Sequence, residues 1–357
     1  MIPISKPSLG TEESEAVARV LEKGQLAQGE EVERFEQEWA SYIGTKFAIA
    51  TNSGTSALHI ALACLGIKKG DKVVTTPFSF IATASSIVMQ GATPVFCDIK
   101  PMTYNLDPQQ LGGNIDENTK AIMVVHLYGQ PCDIAPILEI ARKYNLHVIE
   151  DACQAHGAEY RGKKAGSIGH IGVFSFYPTK NITTGEGGML TTNDTEIAEK
   201  ARMLRDHGQG QRYRHEILGY NYRMTNIAAA IGSVQLKRLE QLNEKRIDNA
   251  GYYNQNLNTK IQKPGVIDGV KHVFHQYTIR VKDRRQFTNY LEQKGVGYGI
   301  YYPIPIHRQP LFREHNCLNL PLAQEASEQV VSLPVHPSLT REELEYIAKV
   351  VNSFESW

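Results

Sequence analysis

The chain has 357 residues, enough for roughly two or three folding units whose cores stand without disulfide staples. Lys+Arg 38 against Asp+Glu 38 gives a net charge of zero and a pI near 7.2, so the broad positive field used by generic nucleic-acid or anionic-membrane binders is absent. Any anion must be held locally. A hydrophobic content of 41% with 21% charged residues excludes general disorder.

In chain order, helices are predicted over 12–23 and 31–43; in the second, Val32, Phe35, Trp39 and Tyr42 recur at helical spacing and Gly44 is its stop. Then the rhythm changes. Short β-rich runs (47–50, 72–75, 93–96, 121–125, 147–150 and 173–176) alternate with helical patterns such as Ile134, Ile137, Leu138, Ala141 and Tyr144, which predicts βαβ units and a buried, mostly parallel sheet. A long helix starts near Thr225 and runs out through the charged stretch 237–246. Beyond it a strand (276–281), a helix (284–294), a strand (296–301) and a terminal helix announced by a Thr340/Glu343 capping box form a smaller α+β unit. The expected division is 1–240 and 241–357. Five cysteines, odd in number and without a CxxC pair, predict reduced, packed thiols. An N-terminus without an apolar h-region, and no uninterrupted apolar run near 18 residues, predict a cytoplasmic chain independent of membranes.

The glycine fingerprints of dinucleotide and P-loop sites are missing, as are G-x-S-x-G and H-E-x-x-H. Three segments carry chemistry instead. In TNSGTSAL (51–58) a strand passes through small hydroxylated residues into a helix, whose first amides suit a phosphate; taken alone, the segment reads sooner as an ordinary N-cap. In VIEDACQAH (148–156) a strand delivers carboxylates at its C-terminal end, where α/β sheets bind ligands and a carboxylate can hold a pyridinium nitrogen; Asp151 as a plain helix cap is the alternative. In FSFYPTKNITTGEGG (174–188) Lys180 stands between an apolar strand and three glycines, which permit close approach to a ring, and shielding from water lowers a lysine pKa toward Schiff-base chemistry. Lysine, carboxylate and phosphate cradle are together the protein parts that a pyridoxal phosphate site requires.

These segments, with GQLAQGEEVERFE (24–36), TPFSFIATA (76–84), VHLYGQPCDI (125–134), LGYNYRMTNIAAAIG (218–232), YYPIPIH (301–307) and LPVHPSLT (333–340), resemble the DegT/DnrJ/EryC1/StrS family of sugar aminotransferases. The resemblance implies an α/β fold of the pyridoxal-phosphate fold type I, aspartate aminotransferase-like, with a large domain and a smaller C-terminal α+β domain. It also implies a homodimer with shared sites, pyridoxal 5'-phosphate as cofactor with pyridoxamine 5'-phosphate as its amine form, and L-glutamate and a nucleotide-linked keto-sugar as substrates. By motif, Lys180 would bond the cofactor and shuttle the proton, Asp151 would pair with the pyridine nitrogen, Phe80 would stack on the ring and Gln154 would bond near its phenolic oxygen. Gly54, Thr55 and Ser175 would hold the phosphate, with Asn221 reaching across from the partner subunit, while Arg223 and His307 would face substrate. Relatives that dehydrate the sugar replace the lysine with histidine; Lys180 therefore favours transamination over dehydration, and over a non-catalytic regulator on the same fold. The branch most resembled is that of the perosamine synthases.

Overall fold

The structure is a computed structural model and describes residues 1–354. A seven-stranded sheet runs, edge to edge, through Phe47–Thr51, Gly188–Thr192, Ile171–Ser175, His147–Asp151, Thr119–Val125, Lys72–Thr75 and Thr93–Phe96. Only Gly188–Thr192 is reversed; it pairs antiparallel with both neighbours, and the other six strands share one direction. The mostly parallel sheet expected from the sequence is therefore present. The reversed strand is absent from the predicted runs because its glycine-rich entry hides four residues of β pattern.

Parallel strands are covered on both faces, and alternation divides their side chains between two cores. Ile49, Ile149 and Val173 pack with Leu58, Ile60 and Leu62 of the helix Gly54–Cys64. Ala48, Ala50 and Phe174 pack on the opposite face with Phe35 and Trp39 of the helix Glu30–Ile43, which ends at the left-handed Gly44. The fold type I architecture thus rests on a sheet whose six like-directed strands, ending at Thr51, Thr75, Phe96, Val125, Asp151 and Ser175, have their C-terminal ends along one edge.

The long helix spans Asn226–Asn256, with the Thr225 hydroxyl accepting from the Ala228 amide at its start. The division set between 240 and 241 falls inside this helix: Leu239 and Leu242 pack under the large sheet, whereas Ala250 and Tyr253 belong to the C-terminal core. That core is closed by the antiparallel pair Tyr277–Arg280 and Val330–Leu333 and by the helices Arg284–Gln293 and Arg341–Asn352. The Thr340/Glu343 capping box forms in both directions, with bonds of 2.9 and 3.2 Å. The strand predicted over 296–301 does not form. This segment makes only isolated bridges, from Val296 to Ile2 and from Gly299 to Ser332, because the N-terminal segment lies across it and takes the Gly297 amide at 2.7 Å on the Ile2 carbonyl. Among the described residues no helix is long and apolar enough to cross a membrane.

Candidate active site

Each of the aligned strand ends except that at Phe96 hands the chain to a turn that carries polar groups, and together these turns line a cavity of about 680 Å³. The first, Ser53, caps the helix Gly54–Cys64 by accepting from the Ser56 amide at 3.1 Å. Among the described residues the Gly54 and Thr55 amides have no acceptor, so a helix N-terminus opens with free donors and the positive end of its dipole on the cavity. Gly54 is glycine for a packing reason: a Cβ there would stand 2.7 Å from the Ser175 Cβ and 3.2 Å from the Cys153 Sγ. Ser175 thus presses against the helix start, and both line the cavity.

Two adjacent carboxylates end the central strand, and strand alternation sends them to opposite faces. Glu150 is fully buried, accepts from the amides of Gly166, Ile168 and Gly169 at 2.6–2.9 Å, and lies 2.8 Å from His126 Nε2. Burial pushes its pKa up, but the His126 bond and charge and the Gly169 and Gly166 amides outweigh this, leaving it below the ordinary glutamate value. It is a structural anion. Asp151 faces the cavity; its Oδ2 accepts from the Thr83 hydroxyl at 2.8 Å and its Oδ1 from the Cys153 amide at 3.2 Å.

Lys180 enters the same cavity from the turn after Ser175. Among the described residues its ammonium has no hydrogen bond or ion pair, and burial pushes its pKa down, with Cys153 and Asp151 acting in the opposite sense. Phe80, 55% exposed, forms an apolar wall with its ring 6.2 Å from that of Tyr302. Gln154 is held at both ends: its Oε1 accepts from the Tyr128 amide at 2.8 Å and its Nε2 donates to the Tyr302 hydroxyl at 3.0 Å.

The cavity thus brings together Gly54, Thr55, Phe80, Asp151, Gln154, Ser175 and Lys180. It does not bring in Asn221, Arg223 or His307. Asn221 is exposed at the outer edge, where its carbonyl accepts from Asn52 at 3.4 Å, and Arg223 is paired with Asp206. His307 is buried behind Phe96, with its ring held 3.2 Å from the Gln324 amide nitrogen. The glycines after Lys180 also act otherwise than expected. Gly185, Gly187 and Gly188 do not line the cavity; a Cβ on Gly188 would lie 2.2 Å from the Ser53 carbonyl, so this glycine lets two backbones meet. Sequence reasoning missed Thr83, Cys153, His275 and Tyr302. Thr83, Cys153 and Tyr302 lie inside the quoted stretches TPFSFIATA, VIEDACQAH and YYPIPIH and could have been found there; His275 comes from a loop whose approach no spacing reports.

Free amides at a helix start, a strand-end carboxylate and a desolvated, unpaired lysine in one cavity are the donor set of a fold type I pyridoxal-phosphate enzyme, and the residues present fit that cofactor. The chain belongs to the DegT/DnrJ/EryC1/StrS aminotransferase family, which it matches over residues 7–352. It is 42% identical to a GDP-perosamine synthase of Caulobacter vibrioides (97% of this chain, 96% of that one) and 42% identical to a pleiotropic regulatory protein of Geobacillus stearothermophilus (94% and 92%). Among solved structures it superposes on Streptomyces venezuelae DesV in complex with a ketimine intermediate, with a TM-score of 0.94 at 37% identity (96% and 94% covered). It also superposes on NtdA of Bacillus subtilis with bound pyridoxamine phosphate, with a TM-score of 0.90 at 35% identity (96% and 82%). The protein is a pyridoxal-phosphate-dependent aminotransferase.

Proposed function

We propose that this aminotransferase carries the amino group of L-glutamate to a nucleotide-linked keto-sugar, a GDP- or UDP-linked 4-keto-6-deoxyhexose in the perosamine manner, giving an amino sugar for a surface polysaccharide such as an O-antigen. The observation that carries the reading is the unpaired Lys180 ammonium in the cavity that Asp151 and the Gly54 helix start also line. Near-full-length likeness to a GDP-perosamine synthase supports the sugar class.

When bound, the cofactor supplies the electron sink for the carbanion. The Gly54 and Thr55 amides and the Ser175 hydroxyl hold its phosphate, Asp151 keeps its ring nitrogen protonated, Phe80 covers one ring face and Gln154 bonds near its phenolic oxygen. Lys180, desolvated and so more readily neutral than an exposed lysine, takes the proton from Cα of the amino donor. Asn221, exposed in one chain, reaches into the cavity of a second copy in a cytoplasmic homodimer, and Arg223, two residues on, meets the anionic part of the sugar nucleotide.

A second reading, ligand binding without turnover, draws on the regulatory protein among the relatives. A passive binder gives no reason to keep a half-buried lysine unpaired. Purified holoenzyme offered glutamate and a panel of GDP-, UDP- and dTDP-linked keto-sugars should release 2-oxoglutarate and an amino sugar identifiable by mass spectrometry. A cofactor spectrum left unchanged by glutamate would favour the binder, and water loss without amination would favour a dehydratase.

A further inference from the structure

Asp151 has a partner that neither the fold nor the proposed reaction calls for. Thr83 lies in the helix Ala82–Met89, 68 residues before the carboxylate it touches, and is 1% exposed. Inside a helix a threonine hydroxyl ordinarily bonds back to a carbonyl three or four residues earlier. This one does not. Its Oγ1 lies 2.8 Å from Asp151 Oδ2 and 2.9 Å from the hydroxyl of Ser79, itself 4% exposed.

The direction of this chain follows from the donor inventory. An ionised carboxylate only accepts, so Thr83 donates its single proton to Asp151 and must accept from Ser79. Two buried hydroxyls are thereby spent in series on one carboxylate oxygen, while the Cys153 amide occupies the other at 3.2 Å. With each oxygen tied to a donor from a different element, the carboxylate plane is fixed and its remaining acceptor capacity is left for the cavity that Ser79, Thr83 and Asp151 all line. We infer that Thr83 is a positioning residue for the cofactor: it holds the Asp151 carboxylate aimed at the pyridine nitrogen, with Ser79 orienting the Thr83 hydroxyl. This rests on the reading of Asp151 as the pyridine partner, and the experiment separates the two.

Apo-protein of wild type, Thr83→Val, Thr83→Ser, Ser79→Ala and Asp151→Asn is titrated with pyridoxal phosphate, recording the dissociation constant and the visible absorption band as a function of pH, with thermal unfolding of each apo-protein as the folding control. Removing a hydrogen bond to a charged group should weaken cofactor binding roughly 10- to 100-fold in Thr83→Val and displace the pH at which the band interconverts. Thr83→Ser should restore both, and Ser79→Ala should show the same changes more weakly. Thr83→Val behaving as wild type while Asp151→Asn is impaired overturns the role of Thr83 alone, as does equal impairment of Thr83→Val and Thr83→Ser, which would mean packing. Asp151→Asn behaving as wild type removes the premise and the inference with it.

Discussion

The wall of the cavity and the outer edge at 206–223 contrast sharply. In the wall, Asp151, Thr83 and Gln154 are buried and bonded to groups of the same chain. At the edge, Tyr213 is 78% and Leu218 is 83% exposed, Asn221 is exposed, and the strands Gln209–Gln211 and Arg214–His215 pair only with each other. The wall is finished by topology: six strands sharing a direction leave their ends along one line, and that is sufficient to assemble a cofactor site from turns far apart in sequence. Under the proposed function, a single copy builds the cofactor half of the site, and the half that selects the substrate depends on these exposed edge residues meeting a second copy.

The comparison breaks most directly at the lysine. Lys180→Ala should lower turnover roughly 10²–10⁴-fold while leaving thermal stability near wild type, since the ammonium makes no bond among the described residues. Steady-state assay with glutamate and a keto-sugar, beside calorimetry, checks both halves; unchanged turnover would remove Lys180 from the chemistry. The opposite pattern is expected one residue before the cavity's own carboxylate. Glu150→Ala leaves His126 and three amides without their anion and should cost about 3–5 kcal/mol of stability, read as a fall in urea midpoint. Side by side in the chain, Glu150 and Asp151 would then separate as scaffold and site.

That separation also shows what was legible in the sequence. Strand-end position and residue type pointed to the 51–58 turn, to the Glu150–Asp151 pair and to Lys180, because strand direction fixes where a residue at the end of a parallel strand must lie. The pattern could not say which of the two acids faces the cavity, since that turns on loop amides at 166–169 arriving from outside the strand. Nor could it separate glycines that admit a ligand from glycines that admit backbone: Gly188 is explained only once the strand Gly188–Thr192 is seen beside Ser53. The resemblance set His307 toward substrate, but the Ile306 amide bonds to the Pro77 carbonyl at 2.7 Å and draws the segment inward.

The wall's burial has a cost that acid should expose. His156 and His272 are buried, and burial pushes each from 6.5 down to about 3. Between those values the unfolded chain binds protons that the folded chain refuses, so stability falls as pH drops through this window, by up to about 1.4 kcal/mol per pH unit for each histidine. Above pH 6.5 these two groups contribute no slope. Unfolding midpoints measured from pH 8 to pH 4.5 should be flat and then decline, and a midpoint unchanged down to pH 4.5 would contradict the neutral, buried state of both rings.

The smallest change in stability is expected at the edge. The Arg223 and Asp206 side chains are 29% and 34% exposed, and pairs in that setting are worth about 0–1 kcal/mol, so Arg223→Ala should unfold nearly as wild type does. If Arg223 serves only to pin the edge, nothing further follows. If it meets the sugar nucleotide bound to a second copy, KM for that substrate rises while the half-reaction with glutamate is untouched, which is the outcome expected here. Mixing sharpens the test: Arg223→Ala and Lys180→Ala chains are each inactive or impaired alone, but a mixed dimer puts an intact Lys180 opposite an intact Arg223 in one of its two sites. After subunit exchange of equal amounts, half the dimers are mixed and about a quarter of wild-type activity should return. No recovery would place Arg223 in the service of its own chain, and the edge would then be scaffold like Glu150.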